Sequence, residues 1–352
     1  MAILEIRFPS QILGREVAMN AIVPDSGNGP FATYYLLHGM YDDYTGWLRR
    51  SKIELYVQGL PLIVVMPDGQ RSMYTNANEG WRFADHIIEE VVGQTERLLP
   101  AKKTRGGRAI GGLSMGGYGA MRLALGFPEM FVSVNSHSGA LMRGTNGWHT
   151  RDYAEEMSRI FGKRPSGSDH DLVALVDRCR KSGKGPKMLI DCGTEDFLLE
   201  DNREFHRGLE HWGIPHEYRE HPGTHDWYYW DTHLPEAIQF HAAALRLRRG
   251  GHLPRRLPLR GHRLRRRGRA ADGEPADAHF VHQPLGDVLV PFTEGRSHAR
   301  GERRLLPRCT RPVRAPRIAR GRRHRPHEAA RFPRRQGRLL GGARARRRPL
   351  RR

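Results

Sequence analysis

The sequence predicts an α/β fold with a mostly parallel central sheet flanked by helices. Three observations carry this. Segments of β character alternate with segments of helical periodicity over the first 246 residues. Pro61-Leu-Ile-Val-Val-Met66 is a continuous apolar run, the pattern of a strand covered on both faces. The stretch from Gly107 to Ala120 reads as a buried strand, a Gly-rich turn at Ser114 and the start of a helix.

The elements follow in order. Ile3 to Phe8 and Glu16 to Val23 alternate in the β manner about Gly14 and predict an opening hairpin. Phe31 to His38 predicts a strand ending at Gly39. Leu48, Ile53, Leu55 and Tyr56 are spaced for burial and predict a helix over Trp47–Gln58. After the strand at Pro61–Met66, Ile87, Ile88, Val91 and Val92 mark one side of a long amphipathic helix, Phe83–Leu99. Beyond Ser114, the residues Met121, Leu123, Ala124 and Leu125 predict a helix that ends near Gly126-Phe-Pro128. Met130–Asn135 predicts a strand. The polar, Gly-rich stretch 144–171 predicts an irregular cap or lid insertion. A helix at Leu172–Ser182, a strand at Lys187–Asp191, a helix at Leu199–Trp212, a strand at His216–Glu220 and a final helix at Trp230–Leu247 complete the pattern.

The chain has 352 residues and a net charge of +21, a balance that usually indicates nucleic acid. The charge is not evenly spread. From Leu247 to Arg352 there are 32 arginines and only seven acidic residues, with no Lys, Met, Trp, Tyr or Asn. Residues 1–246 carry 27 basic and 31 acidic residues. Two regions follow: a folded domain, 1–246, and a basic Arg/Pro/Gly-rich tail, 247–352. The tail cannot bury enough apolar surface to offset its ordering entropy, so it is expected to be disordered. Arg265-Arg266-Arg267 and similar clusters can pair with phosphates, so the tail is the one part of the chain through which nucleic acid is possible as a partner; a solvated linker with no partner is a second reading. Only Phe280, Phe292 and Phe332 are available there for base stacking. The residue bias is that of GC-rich codons, which favours a frame-shifted or read-through origin over a functional appendage.

Cys179, Cys192 and Cys309 form no disulfide framework and fit a reducing compartment. Met1–Phe8 has no basic n-region, and no run approaches the roughly 18 apolar residues of a membrane span. A soluble cytoplasmic protein is expected.

Gly112-Leu-Ser-Met-Gly116 fits the pattern Gly-x-Ser-x-Gly. A serine hydroxyl is a poor nucleophile, so it must stand clear of the sheet beside a base and amide donors. A sharp strand-to-helix turn achieves this. It strains the serine backbone and crowds the positions two before and two after, which must be glycine. The following helix aims its N-terminal N–H groups at developing negative charge.

Such a serine needs a base, and the base needs an orienting carboxylate. In open α/β sheets the site lies beyond the carboxyl ends of the strands. After Lys187–Asp191 comes Cys192-Gly-Thr-Glu-Asp196. Asp196, at the far end of this loop, is the expected acid, with Glu195 the second choice. Capping the next helix is the alternative role for Asp196. Five histidines crowd the stretch from His206 to His225. His206 and His211 fall on a helix, and His216 opens a strand. His221 and His225 flank Pro222-Gly-Thr224, and His225 in this loop is the expected base. None of them forms a His-x-x-x-His pair on a helix, since His221 and His225 have that spacing only across the loop Pro222-Gly-Thr224, so neither metal nor cofactor is expected. The oxyanion donors expected are the backbone N–H groups of Met115 and Met40, with Gly39 letting the chain turn inward. His38 is expected to be a buried structural histidine.

Leu36-Leu-His-Gly39 with Trp47, Met66-Pro-Asp-Gly69, Gly112-Leu-Ser-Met-Gly-Gly-Tyr-Gly-Ala120, Ser138-Gly-Ala140, Cys192-Gly-Thr-Glu-Asp196 and Gly223-Thr-His-Asp-Trp227 together resemble one esterase family. It includes tributyrin-type carboxylesterases, S-formylglutathione hydrolase (esterase D), feruloyl esterase modules and mycolyl transferases. The resemblance covers most of residues 1–246 and none of the tail. It implies the α/β-hydrolase fold, a Ser114–Asp196–His225 triad and hydrolysis of a small-molecule ester through an acyl-enzyme. S-formylglutathione hydrolases usually carry a cysteine-containing loop where this chain has His38-Gly-Met-Tyr-Asp-Asp43, and a histidine where Leu113 precedes the serine. Both departures favour a short-chain carboxylesterase, with thioester hydrolysis as the alternative. Trp47, and Trp227 in the cluster Trp227-Tyr-Tyr-Trp230, can line an acyl pocket or pack the last helix.

Overall fold

The computed structural model describes residues 1–146 and 153–247. The chain divides into two units, 1–264 and 265–352, and the described residues all belong to the first. Eight strands form one sheet in the order β1-β2-β4-β3-β5-β6-β7-β8. β1 (Ala2–Ser10) and β2 (Arg15–Val23) are the expected hairpin, and β2 pairs antiparallel with β4 (Leu62–Pro67). From β4 onward all neighbours are parallel: β3 (Ala32–Leu37), β5 (Arg108–Leu113), β6 (Ser133–His137), β7 (Lys187–Gly193) and β8 (Glu217–His221).

Side-chain alternation divides the core between the two faces of the sheet. On β4, Ile63 and Val65 enter one cluster, and Leu62, Val64 and Met66 the other. This is why the run is apolar throughout: a strand with no solvent face has no place for a polar residue. Each such side chain contributes about 1.5–3 kcal/mol on burial. The first cluster is covered by a helical run (α3, Phe83–Asp85; a π-helical turn, His86–Val91; α4, Val92–Leu98), by α5 (Met115–Gly126), and by α7 (Ala154–Phe161), α8 (Leu172–Ser182) and α9 (Leu199–His211). The second is covered by α1 (Gly46–Arg50), α2 (Ile53–Val57) and α10 (Trp227–Ala244).

The structure corrects four sequence expectations. The single helix expected over Trp47–Gln58 is broken into α1 and α2. Ser51 is extended, its hydroxyl donates to Trp47 O at 2.6 Å, and the Lys52 N–H donates to Asp231 Oδ1 on α10 at 2.8 Å. β6 begins at Ser133 rather than Met130, because Met130 N–H closes a turn onto Phe127 O at 2.9 Å. α10 starts three residues early, since Asp226 caps it by accepting from Tyr229 N–H. The stretch 144–171 is not irregular throughout. α6 (Arg143–Asn146) enters it, and α7 buries Met157, Ile160 and Phe161, the i, i+3, i+4 stripe of an amphipathic helix. Arg71 ties α7 to the body through two hydrogen bonds to Glu156, at 2.9 and 2.6 Å.

At the other end, Leu247 N–H donates to Ala242 O at 3.0 Å and the side chain packs on the second cluster. The folded body therefore reaches Leu247. The disorder, nucleic-acid pairing and frame-shifted origin expected for the tail lie outside the described residues. Among those residues no helix is long and apolar enough to cross a membrane.

One buried polar network joins α10 to the sheet. Tyr34 OH donates to Asn135 Oδ1 at 2.7 Å, and His241 Nε2 meets the same oxygen at 2.9 Å. Asn135 Oδ1 can only accept, so His241 is protonated on Nε2, and Nδ1 accepts from Ser133 Oγ at 2.8 Å. Burial pushes this imidazole down to about 3. An unfolded histidine takes up its proton near about 6.5. Between these values the unfolded state binds more protons, so the folded state loses stability as pH falls from about 6.5 towards 3. His241→Asn should be less stable than the wild type at pH 7, and urea midpoints should show that gap narrowing as pH falls to 4. A constant gap would show that His241 is not a neutral buried group.

Candidate active site

The site begins with the turn between β5 and α5. Ser114 sits at φ 53°, ψ −116°, between the last strand residue, Leu113, and the first helix residue, Met115. A side chain of this type is held there only when its surroundings leave no alternative. The two glycines make the turn possible. A Cβ on Gly112 would lie 2.6 Å from Leu37 O, and one on Gly116 would lie 2.5 Å from Leu37 O and 2.6 Å from His38 O. The end of β3 therefore passes too close for any other residue. Ser114 N–H donates to His137 O on β6 at 2.9 Å, and Ser114 O accepts from Tyr118 and Ala140 N–H at 3.1 and 3.2 Å. With its backbone satisfied, the serine leaves only its hydroxyl uncommitted.

That hydroxyl meets the loops after β7 and β8. His225 Nε2 lies 2.9 Å from Ser114 Oγ, and His225 Nδ1 lies 2.8 Å from Asp196 Oδ2. Asp196 is 5% exposed, and its other oxygen accepts from Leu198 N–H at 2.8 Å. A buried carboxylate can only accept, so the proton of His225 is on Nδ1. Nε2 then presents its lone pair to the serine hydroxyl. This arrangement can withdraw the hydroxyl proton and hold the resulting imidazolium against a carboxylate.

The two loops are zipped to one another. Thr194 N–H donates to His221 O at 2.8 Å and Glu195 N–H to Gly223 O at 3.0 Å. Glu195 Oε2 accepts from Gly223 N–H at 2.5 Å. Glu195, the second choice for the acid, thus pins the histidine loop and does not contact the imidazole. Below them, Asp191 is buried on β7, as its place in the strand implied. It lies 2.7 Å from His137 Nδ1 and accepts from Tyr229 OH at 3.1 Å. Burial, together with the Asp191 charge, pushes the Tyr229 hydroxyl well up, so it remains a donor.

The Met40 and Met115 N–H groups have no hydrogen-bond acceptor among the described residues. Gly39 brings this first loop to the serine: a Cβ there would stand 3.9 Å from Ser114 Cβ. His38 fixes the loop. It accepts Gly69 N–H on Nε2 at 2.8 Å, so its proton is on Nδ1, which donates to Gly39 O at 2.7 Å. It is 1% exposed and bridges two loops, the structural part expected of it.

Aromatic side chains border the imidazole. The Trp230 ring stands edge-on to His225, with centroids 5.0 Å apart, and Phe197 lies 4.5 Å from it while remaining 71% exposed. Trp227 is partly exposed. Trp47 is 1% exposed, its indole N–H donates to Leu37 O at 3.1 Å, and its ring meets Trp227 edge-on at 5.0 Å. Trp47 thus backs Trp227 and offers no open face of its own. Phe197 and Asp42 were not singled out by sequence. Phe197 carried one usable signal, its place directly after the acid. Asp42 lies in the Met40 loop against Gly39 and Gly46, and burial pushes its carboxyl up.

Comparison with known proteins identifies the family. Residues 10–241 match the family model described as Putative esterase. An acetyl esterase of Caldicellulosiruptor saccharolyticus is 32% identical over 260 residues, covering 68% of this chain and 98% of its own. Among solved structures, the fluorophosphonate-binding serine hydrolase FphF of Staphylococcus aureus is 30% identical with a TM-score of 0.63, over 68% of this chain and 98% of that one. The S-formylglutathione hydrolase FrmB of the same organism is 30% identical with a TM-score of 0.62, over the same shares. The fold is that of the α/β-hydrolases. The family match spans most of the folded body and these relatives match over nearly their whole length: the chain belongs to the Putative esterase family and is a serine hydrolase acting on carboxylic esters.

Proposed function

We propose that this enzyme hydrolyses short-chain acyl esters through an acyl-enzyme on Ser114. The observation that carries the reading is the continuous hydrogen-bonded chain Ser114 Oγ–His225–Asp196, at 2.9 and 2.8 Å. His225 takes the serine proton as Oγ attacks the ester carbonyl. The tetrahedral oxyanion is held by the Met115 and Met40 N–H groups. His225 returns the proton to the leaving alcohol, and a water deprotonated by His225 then releases the acid. Asp196 keeps the imidazole in the working tautomer and stabilises its charged form. The acetyl esterase relative supports a small acyl group, and Trp230, with Trp227 packed against it, supplies an apolar wall beside the imidazole.

Thioester hydrolysis is the second reading, favoured by the likeness to the S-formylglutathione hydrolase. Leu113 before the serine and the cysteine-free Met40 loop speak for the ester. We place the whole activity in residues 1–246, since every residue of the proposed mechanism lies there. A cytoplasmic setting is supported by the free, buried Cys179 and Cys192.

Ser114→Ala should lower kcat on p-nitrophenyl acetate by at least about 10⁴-fold with unchanged circular dichroism, and Asp196→Asn by about 10⁴-fold. Activity retained in a folded Ser114→Ala variant refutes the mechanism. On a panel holding tributyrin, p-nitrophenyl acetate and S-formylglutathione, kcat/KM should be highest on an oxygen ester; a higher value on the thioester selects the second reading. A chain ending at Leu247 should match the full chain in kcat/KM within about twofold; a larger loss assigns the tail a part in turnover.

A further inference from the structure

The loop bearing His225 runs between β8 and α10, and a second cluster of side chains joins its two flanks. His221 is the last residue of β8, and His233 and Glu236 lie on α10. His221 Nε2 stands 3.6 Å from Glu236 Oε2, and His233 Nδ1 stands 3.6 Å from Glu236 Oε1. The three donor atoms lie within 4.8 Å of one another. The two ring nitrogens are buried and have no hydrogen-bond partner among the described residues. Two buried imidazole nitrogens turned on one carboxylate, and without a hydrogen bond among the described residues, are costly unless something else completes them.

We propose that His221, His233 and Glu236 form a divalent transition-metal site of zinc type. Two imidazoles and a carboxylate are a donor set that zinc accepts, and the fourth position takes water. Zinc bonds of about 2.0–2.1 Å at the tetrahedral angle place ligand atoms about 3.3–3.4 Å apart; each imidazole nitrogen stands 3.6 Å from one Glu236 oxygen, and small side-chain rotations bring the three donors, now within 4.8 Å, to that spacing. The helical pair is His-x-x-Glu, i and i+3 on one face, so the lack of a His-x-x-x-His pair on a helix does not exclude it. The third ligand comes from a strand 12 residues upstream of His233, which no helical spacing reveals. The imidazoles stack at 4.0 Å with an interplanar angle of 13°, so a bound ion requires the rings to turn about χ2 until both nitrogens face it. Arg219 donates to Glu236 Oε2 and fixes the carboxylate from outside, the usual support for a ligating group. The site does not touch Ser114. It fastens the strand end before His225 to the helix after it, and so holds the base loop at both ends.

Co²⁺ reports the site directly, because a tetrahedral N₂O set gives a strong visible d–d band. The full chain, titrated with Co²⁺, should develop this band to one equivalent at the site, and Zn²⁺ should displace it. Zn²⁺ at ten times its Kd should raise Tm by about 3–6 °C. His233→Gln and His221→Gln should each weaken Zn²⁺ binding at least about tenfold and remove the band. His221 is the more exposed of the two, so His221→Gln serves if the other variant fails to fold. The absence of a tetrahedral band in the wild type, or a band and affinity unchanged in a folded variant, overturns the proposal. None of these readings depends on esterase activity, so failure here leaves the mechanism at Ser114 untouched, and failure there leaves this site untouched.

Discussion

Ser114 occupies a backbone conformation that an ordinary residue avoids, at φ 53° and ψ −116°, and much of the surrounding structure exists to keep it there. Strain of this kind costs of order 1–3 kcal/mol and persists only when neighbours over-determine it. Here β3 closes on the turn from one side, so that Gly112 and Gly116 cannot carry a side chain. β6 receives the serine N–H, and the Ala140 N–H returns to the serine carbonyl. The parallel sheet fixes the distance between these partners, because β3, β5 and β6 are consecutive neighbours in it. The strain therefore rests on strands buried along their whole length. In return the hydroxyl stands at the carboxyl edge of the sheet with nothing but the imidazole to bond.

The other partners are built differently. Asp196 and His225 come from loops, which by themselves would be mobile. They are made rigid by being tied to each other, through Thr194, Glu195 and Gly223, before either reaches the serine. Asp226 then caps α10 directly after the base, and Tyr229 on the first turn of that helix reaches down to Asp191. The imidazole is thereby positioned from below by the sheet and from behind by a helix terminus. The first loop follows the same plan: His38 is committed on both nitrogens to backbone groups, which fixes the loop that Gly39 brings against Ser114.

Much of this was legible in the sequence. The alternation of strands and helices gave the layers, and Gly112–Gly116 gave the turn, because a steric rule forces glycine at both positions. His225 stood out for its loop, and Asp196 for its place at the end of one. What sequence missed has physical reasons. The break between α1 and α2 comes from Asp231, 179 residues after the Lys52 it binds. The late start of β6 depends on a turn that helical and strand periodicity do not distinguish. α7 is short, and its three apolar residues are too few to outweigh a polar surrounding. Trp47 has the composition of a ligand-binding residue, but only packing reveals that Trp227 and Leu37 enclose it. The meeting of His221 with His233 and Glu236 needs the tertiary fold, since one ligand is on a strand and two are on a helix.

The central claim is that the turn and the relay make Ser114, alone among the serines, a nucleophile at neutral pH. An organophosphonate with a good leaving group phosphonylates a serine only where a base removes its proton as the new bond forms. Labelling the full chain at pH 7 and mapping the adduct by peptide mass spectrometry tests this directly. The account predicts one adduct, on Ser114, lost when His225 is replaced by Ala. No incorporation, or an adduct on another serine that survives that replacement, would contradict it.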